Sequence, residues 1–240
     1  AHLVPLGEDR RAGMVFDSET MSYSMAWTND QSLKASGMPF AGAHGAAAVV
    51  KESYNLFRTN MLPGWAKTKE MIKKDPRRQP YKSFPSMGTL PKDWAHFKGH
   101  YVHDGKAIFN YSVGEGSVLD MPGIVKQKGL TALTRTVQVE NPTSSVMLLA
   151  ENDDSKVEKK DKTFTVSLEG RACNFSLVDF SKGVKLFVWE NLLLCEVPKG
   201  NSHFKAAMWA GDPAYQPAVQ SAAGKAEDLS KLTSGCLLYT

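Results

Sequence analysis

Short apolar runs broken by turn residues recur along the chain, and several alternate apolar with polar positions. Between Leu90 and Pro122 the sequence runs LPKDWAHFKGHYVHDGKAIFNYSVGEGSVLDMP, with two β-rich stretches, Gly99–His103 and Lys106–Val113, joined at Asp104-Gly105. Asp-Gly between aromatic and β-branched residues signals a two-residue hairpin. Both central positions of a type I′ turn need positive φ, which Asp and Gly tolerate best. A second turn at Gly114-Glu115-Gly116 leads into Ser117–Met121, so an antiparallel meander is predicted here.

The same period recurs on both sides. Gly13–Phe16 and Met21–Trp27 flank the polar turn Asp17–Thr20 and predict a hairpin. Residues 29–45 are rich in Gly, Ala and Ser and read as a loop, with a short strand at Ala46–Lys51. Further strands are predicted at Thr131–Val139, Ser144–Ala150, Lys162–Leu168, Ala172–Val178, Val184–Trp189, Leu192–Val197 and His203–Ala210. Thr-Arg-Thr-Val-Gln-Val at 134–139 has the alternation of a half-buried strand. The turns between them fall at Asn141-Pro142, at the charged tip Glu151–Asp161, at Ser181–Gly183 and at Lys199–Asn201. About ten to twelve short, regularly spaced strands predict an all-β fold, an antiparallel β-sandwich over residues 1–213. In the tail, 214–240, Ala-rich residues 214–223 lead to a short helix expected at Gly224–Leu229.

Residues 51–98 break the pattern. They hold eleven Lys or Arg against four Asp or Glu, with prolines at 63, 76, 80, 85 and 91. A short helix is expected over Trp65–Lys74, ended by Pro76. The segment as a whole reads as a long, irregular, basic insertion, and loops of this length in compact domains are usually functional or docked.

Composition narrows the class without naming a function. Hydrophobic residues at 42% and charged residues at 22% are ordinary for a globular protein. No run approaches the roughly 18 to 20 apolar residues of a membrane span. A net charge of +4 is too mild to point to nucleic acid. The N-terminus lacks the layout of a signal peptide, and Ala1 fits a mature end left after cleavage. Cys173, Cys195 and Cys236 form no C-x-x-C spacing; Cys173 and Cys195 are either a cross-strand disulfide or two buried thiols, with Cys236 a spare thiol.

His96, His100 and His103 cluster, but side chains three apart on a strand face opposite ways, so no metal site is expected. Glu115, Asp120, Glu151 and Asp17 fall at strand ends, where a glycosidase would hold its carboxylate pair; each equally fits a turn or solvated rim. There is no G-x-S-x-G elbow and no phosphate-binding G-x-x-x-x-G-K-[ST] loop. The strongest electrostatic feature is Lys67–Lys82, with seven cations in sixteen residues, flanked by Trp65, Tyr81, Phe84 and Trp94. It is either a solvated loop or a surface for an acidic protein or a polyanionic polymer. Trp65, Lys73, Lys74, Arg77, Arg78, Tyr81 and Trp94 are the candidate binding residues, for a partner or a sugar.

Four segments carry a resemblance: MVFDSETMSYSMAW, the 90–122 stretch, LTRTVQVE and EDLSKLTSG. They resemble the N-terminal β-rich domain of secreted, planctomycete-type proteins labelled haem-binding, in which the domain precedes propeller-like and c-type cytochrome regions. The resemblance implies a secreted or periplasmic, non-catalytic module that docks to a c-type cytochrome or propeller subunit. With no C-x-x-C-H in this chain, no covalent haem and no other cofactor is expected. The alternatives are a carbohydrate-binding module stacking sugar on Trp27, Trp65 or Trp94, and a polysaccharide hydrolase or lyase using carboxylates with His100 or His103.

Overall fold

The computed structural model describes residues 1–28, 34–35, 48–49, 54–59, 61–79, 81–82, 86–127, 129–140, 143–152, 157–168, 170–235 and 237–238. Phe84, Cys236, the Asn141-Pro142 turn and most of the 29–45 loop lie outside the described residues.

In chain order the first strands are β1 (His2–Leu6), β2 (Ala12–Asp17), β3 (Ser22–Thr28), β4 (Lys34–Ala35), β5 (Ala48–Val49) and β6 (Tyr54–Arg58). They continue with β7 (Trp65–Ala66), β8 (Ala95–His103), β9 (Lys106–Val113), β10 (Gly116–Gln127), β11 (Leu130–Glu140) and β12 (Ser145–Glu151). The last are β13 (Glu158–Lys160), β14 (Thr163–Leu168), β15 (Arg171–Phe180), β16 (Lys185–Trp189), β17 (Leu192–Val197) and β18 (Ser202–Ala210). Two short helices, α1 (Lys69–Lys73) and α2 (Gln216–Ala223), complete the set of regular elements discussed below.

An eight-stranded antiparallel sheet, in the order β13-β14-β15-β18-β11-β10-β9-β8, forms one layer. Facing it are two four-stranded sheets, β1-β2-β3-β6 and β16-β17-β12-β7. One core joins the layers, because inward residues of all three sheets pack in a single cluster. Phe16 stacks on Phe109 at 4.1 Å between centroids, and Phe57 meets Phe175 at 5.8 Å. The chain is thus an all-β antiparallel sandwich, as the alternation predicts.

The meander closes as its sequence dictates. Asp104 (φ 47°) and Gly105 (φ 72°) form the two-residue turn between β8 and β9. Gly114 (φ 57°) opens the next turn, into β10. Strand β1 and strand β6 were not anticipated, and the described residues hold eighteen strands rather than ten to twelve.

The 51–98 segment differs from the expected irregular excursion. Strand β6 pairs with β3, and β7 pairs with β12, so the segment enters two sheets before β8 begins. Trp65 and Ala66, expected in a helix, are the residues of β7; the helix is confined to Lys69–Lys73. The tail helix is also displaced from its expected place. The Ala-rich stretch itself is helical, with proline in its first turn, and Gly224 stops it with φ 63°. Leu229–Leu232 follows as a single 3-10 turn. The tail covers the outer face of the eight-stranded sheet. Val219 and Ala223 pack with Ala132, Ala207 and Trp209, and Leu229 packs with Ile108 and Met121.

Candidate functional site

Within β11 the residues that face the core are Leu133, Arg135, Val137 and Val139, so arginine occupies a position that the alternation reserves for an apolar side chain. Asp120 sits on the same inner face of β10. The two form a buried pair, with Arg135 Nε donating to both Asp120 carboxylate oxygens at 3.1 Å and Nη2 to Oδ2 at 2.5 Å. Tyr111 Oη donates to Asp120 Oδ2 at 2.8 Å, and Trp65 Nε1 donates to Tyr111 Oη at 3.2 Å. The Arg135 guanidinium also lies 4.6 Å from the Tyr23 ring centre. The network therefore ties β3, β7, β9, β10 and β11 across the two layers.

Its electrostatics favour permanence. Burial opposes the guanidinium charge, but the adjoining Asp120 carboxylate outweighs it and raises the Arg135 pKa further. Burial, with the Asp120 charge adding to it, pushes Tyr111 and Tyr23 well above the ordinary phenol range. The buried Tyr23 hydroxyl makes no hydrogen bond among the described residues. Asp120 is consequently not the solvated rim carboxylate that its strand position implied. Of the other carboxylates considered, Asp17 is buried and accepts from Glu19 N at 2.9 Å, Glu151 accepts from Asn191 Nδ2 at 3.3 Å, and Glu115 is exposed.

The basic segment is organised by a second buried arginine. Arg77 is 6% exposed. It grips Asp75 with Nε at 3.0 and 3.1 Å and Nη2 at 2.7 Å, and donates to the carbonyls of Gly88 (3.3 Å) and Met61. A bridge between Arg78 and Met87, with Met87 N donating to Arg78 O at 2.9 Å, closes the loop just beyond. Arg77 is thus an internal pin, buried and bonded to its own loop.

The remaining predicted residues divide between core and surface. Trp65 is 1% exposed in β7, and its carbonyl accepts from Trp94 Nε1 at 2.9 Å. Trp94 is half-buried, with Lys67 Nζ 5.5 Å from its ring centre. Trp27 is buried. Lys73 is exposed and engages Glu190, Asn191 (3.0 Å) and the Trp189 ring (5.6 Å). Lys74, Arg78 and Tyr81 are exposed, Tyr81 at 70%. Across 67–89 the described surface therefore presents six cations, Lys67, Lys69, Lys73, Lys74, Arg78 and Lys82, beside Met71, Tyr81 and Met87. Glu70 is the one exposed carboxylate among the described residues there.

The histidines diverge as the strand period requires. The His100 ring lies among His2 (5.9 Å) and Phe109 (6.3 Å), whereas His103 sits beside Asp104 at 3.5 Å and His96 is exposed. Cys173 and Cys195 are free, buried thiols on different sheets. Burial raises both, Cys195 to about 12, which leaves no thiolate for chemistry at neutral pH.

A cleft of about 940 Å³ runs over the outer face between β1, the Asp104-Gly105 hairpin and α2. The charged groups at its inner end are already committed. Buried Lys205 donates to Ala223 O (2.7 Å), Lys225 O (3.2 Å) and Glu227 Oε1 (3.1 Å), and Thr136 Oγ1 donates to Glu227 Oε2 at 2.8 Å. Burial works against the Glu227 charge, but Thr136 and Lys205 prevail and hold its pKa below the usual range. This lysine caps the carbonyl end of α2 and fastens the tail.

A family described as a domain of unknown function (DUF6797) matches residues 14–120. That span contains Tyr23, Trp65, Arg77, Tyr111 and Asp120, hence the whole Arg77 pin and all of the inner network except Arg135. No curated protein and no solved structure matches the chain.

Proposed function

We propose that this chain is a non-catalytic β-sandwich module that docks, through the cationic surface around α1 and the Arg78–Met87 loop, to an acidic face of a larger extracytoplasmic assembly. The observation that carries this reading is the division of labour in the basic segment. Arg77 holds the loop from inside, while six cations and three apolar side chains stand exposed on it. A pinned loop presents its charges with less ordering cost on binding. Arg, Tyr and Met are also residue types enriched at interfaces. The resemblance to secreted proteins with propeller-like and c-type cytochrome regions supplies the kind of partner, a c-type cytochrome or propeller subunit. The commitment of Asp120, Lys205 and Glu227 to internal pairing further supports binding over catalysis. The sugar-stacking alternative is weakened because Trp27 and Trp65 are buried.

The test is association with a c-type cytochrome or propeller subunit that co-purifies from the native source, measured against salt. The triple variant Lys74→Glu, Arg78→Glu, Lys82→Glu leaves Arg77 intact and should bind at least tenfold more weakly. Wild-type affinity should fall between low salt and 0.5 M salt through screening. Equal binding by wild type and variant, with no salt dependence, would remove the surface from the reading.

A further inference from the structure

Beside the β13–β14 hairpin a pocket of about 250 Å³ opens between β14, β15 and β16, with Gln220 of α2 at its edge. Its walls are apolar: Phe164, Leu177, Val184 and Leu186 belong to the sandwich core or pack against it. Phe180, at the end of β15, also lines the pocket yet remains 49% exposed. Leaving a phenyl ring in water forgoes burial that the fold achieves for most of its aromatic rings.

The rim is cationic. Asp161, with φ 51°, and Lys162 form the two-residue turn between β13 and β14. Lys159, two residues before that turn, carries its Nζ 5.4 Å from the Phe164 ring centre. Among the described residues neither Lys159 nor Lys162 has an ion-pair partner, whereas the third lysine, Lys185, is paired with Glu196 at 3.1 Å. Among the described residues, Asp161 is the single carboxylate lining the pocket.

We propose that this pocket binds a small amphipathic monoanion of the medium-chain carboxylate type. The chain lies against Phe164, Leu177 and Phe180, and the carboxylate sits between Lys159 and Lys162. The volume of about 250 Å³ falls just below the usual range for small-molecule sites, which suits a short chain rather than a whole lipid. The apolar walls supply affinity, and the two lysines select the sign of charge on the head.

The experiment is a titration of the ¹⁵N-labelled full chain with sodium octanoate below its micellar concentration. Shifts should localise to 157–168 and 175–186. Affinity should rise about fourfold per added CH₂ from butanoate to octanoate, the fold-change that corresponds to about 0.8 kcal/mol. Octylamine and octanol should each bind at least tenfold more weakly than octanoate. Lys159→Glu with Lys162→Glu should lose at least tenfold, and Phe180→Asp should lose detectable binding, with thermal unfolding of both variants monitored alongside. Lys162→Gln alone should give an intermediate loss in a folded protein. Scattered shifts, equal binding of octanol and octanoate, or unchanged affinity in the folded lysine variants would overturn the assignment.

Discussion

Two stretches of this chain, the meander from Ala95 to Glu140 and the segment from Met61 to Trp94, each contain a buried arginine gripping a carboxylate. In the meander the backbone groups are satisfied by neighbouring strands, so Arg135 directs its donors to side chains, Asp120 above all. In the irregular segment some carbonyls have no strand partner, and Arg77 reaches those of Met61 and Gly88 as well as Asp75. Main-chain carbonyls without a strand partner pair with side chains or with water. The contrast shows one residue type joining sheets in regular structure and replacing a missing ladder where the structure is irregular.

The comparison breaks first, and hardest, at Arg135. Arg135→Met leaves the Asp120 carboxylate buried without its cation and should cost about 3–5 kcal/mol. The double variant Asp120→Leu, Arg135→Met should recover much of that loss, because two apolar groups need no partner. Urea unfolding of the three proteins measures this. A single variant within 1 kcal/mol of wild type would mean that the pair is solvated and would end the contrast.

The second break is local. Arg77→Met removes charge-assisted bonds from two main-chain carbonyls and from Asp75, and should cost about 2 kcal/mol. Its sharper signature is the site of the damage. Limited proteolysis should cut within 76–90 well before global unfolding, whereas the Arg135 variants should open cooperatively. Protection of that loop in Arg77→Met would show that the pin is dispensable.

How far these features were legible follows from the range of the interactions. The Asp104-Gly105 hairpin needs only local chemistry, and the sequence pattern places it correctly. The buried pair was legible in principle. Arg135 stands in phase with Leu133, Val137 and Val139, and Asp120 stands in phase with Val118, so opposite charges occupy inward positions on adjacent strands. The 134–139 alternation predicts the half-buried strand but does not by itself say that its inward phase holds the arginine. Arg77 was not legible. Its partners at Met61 and Gly88 are main-chain carbonyls, which leave no mark in composition, and a run of cations reads as solvated. Strand β7 was missed for a similar reason, since two residues are too few to show a period.

A third, smaller effect returns to the meander. Gly105 has φ 72° and open space around the position of a Cβ, so Gly105→Val meets no steric wall and tests backbone strain alone. The cost should be on the order of 1 kcal/mol or more, because a β-branched residue resists positive φ. Gly105→Asn should cost less, since Asn tolerates that region better. Equal stability of the valine and glycine proteins in urea would mean that the turn has relaxed into another type.

The smallest expected effect lies on the surface that Arg77 supports. Lys74→Glu with Arg78→Glu changes charge by four units on residues that are exposed and lie outside the pin. Solvated charges of this kind typically contribute less than about 1 kcal/mol each, since water screens them and an ion pair must also hold two long side chains in one geometry. Urea midpoints should therefore stay close to wild type, and the residual difference should shrink further at 0.5 M salt. A large stability loss from the surface pair alone, persisting in salt, would mean that Lys74 or Arg78 belongs to the pin. The division between one internal cation and the exposed ones would then have to be redrawn.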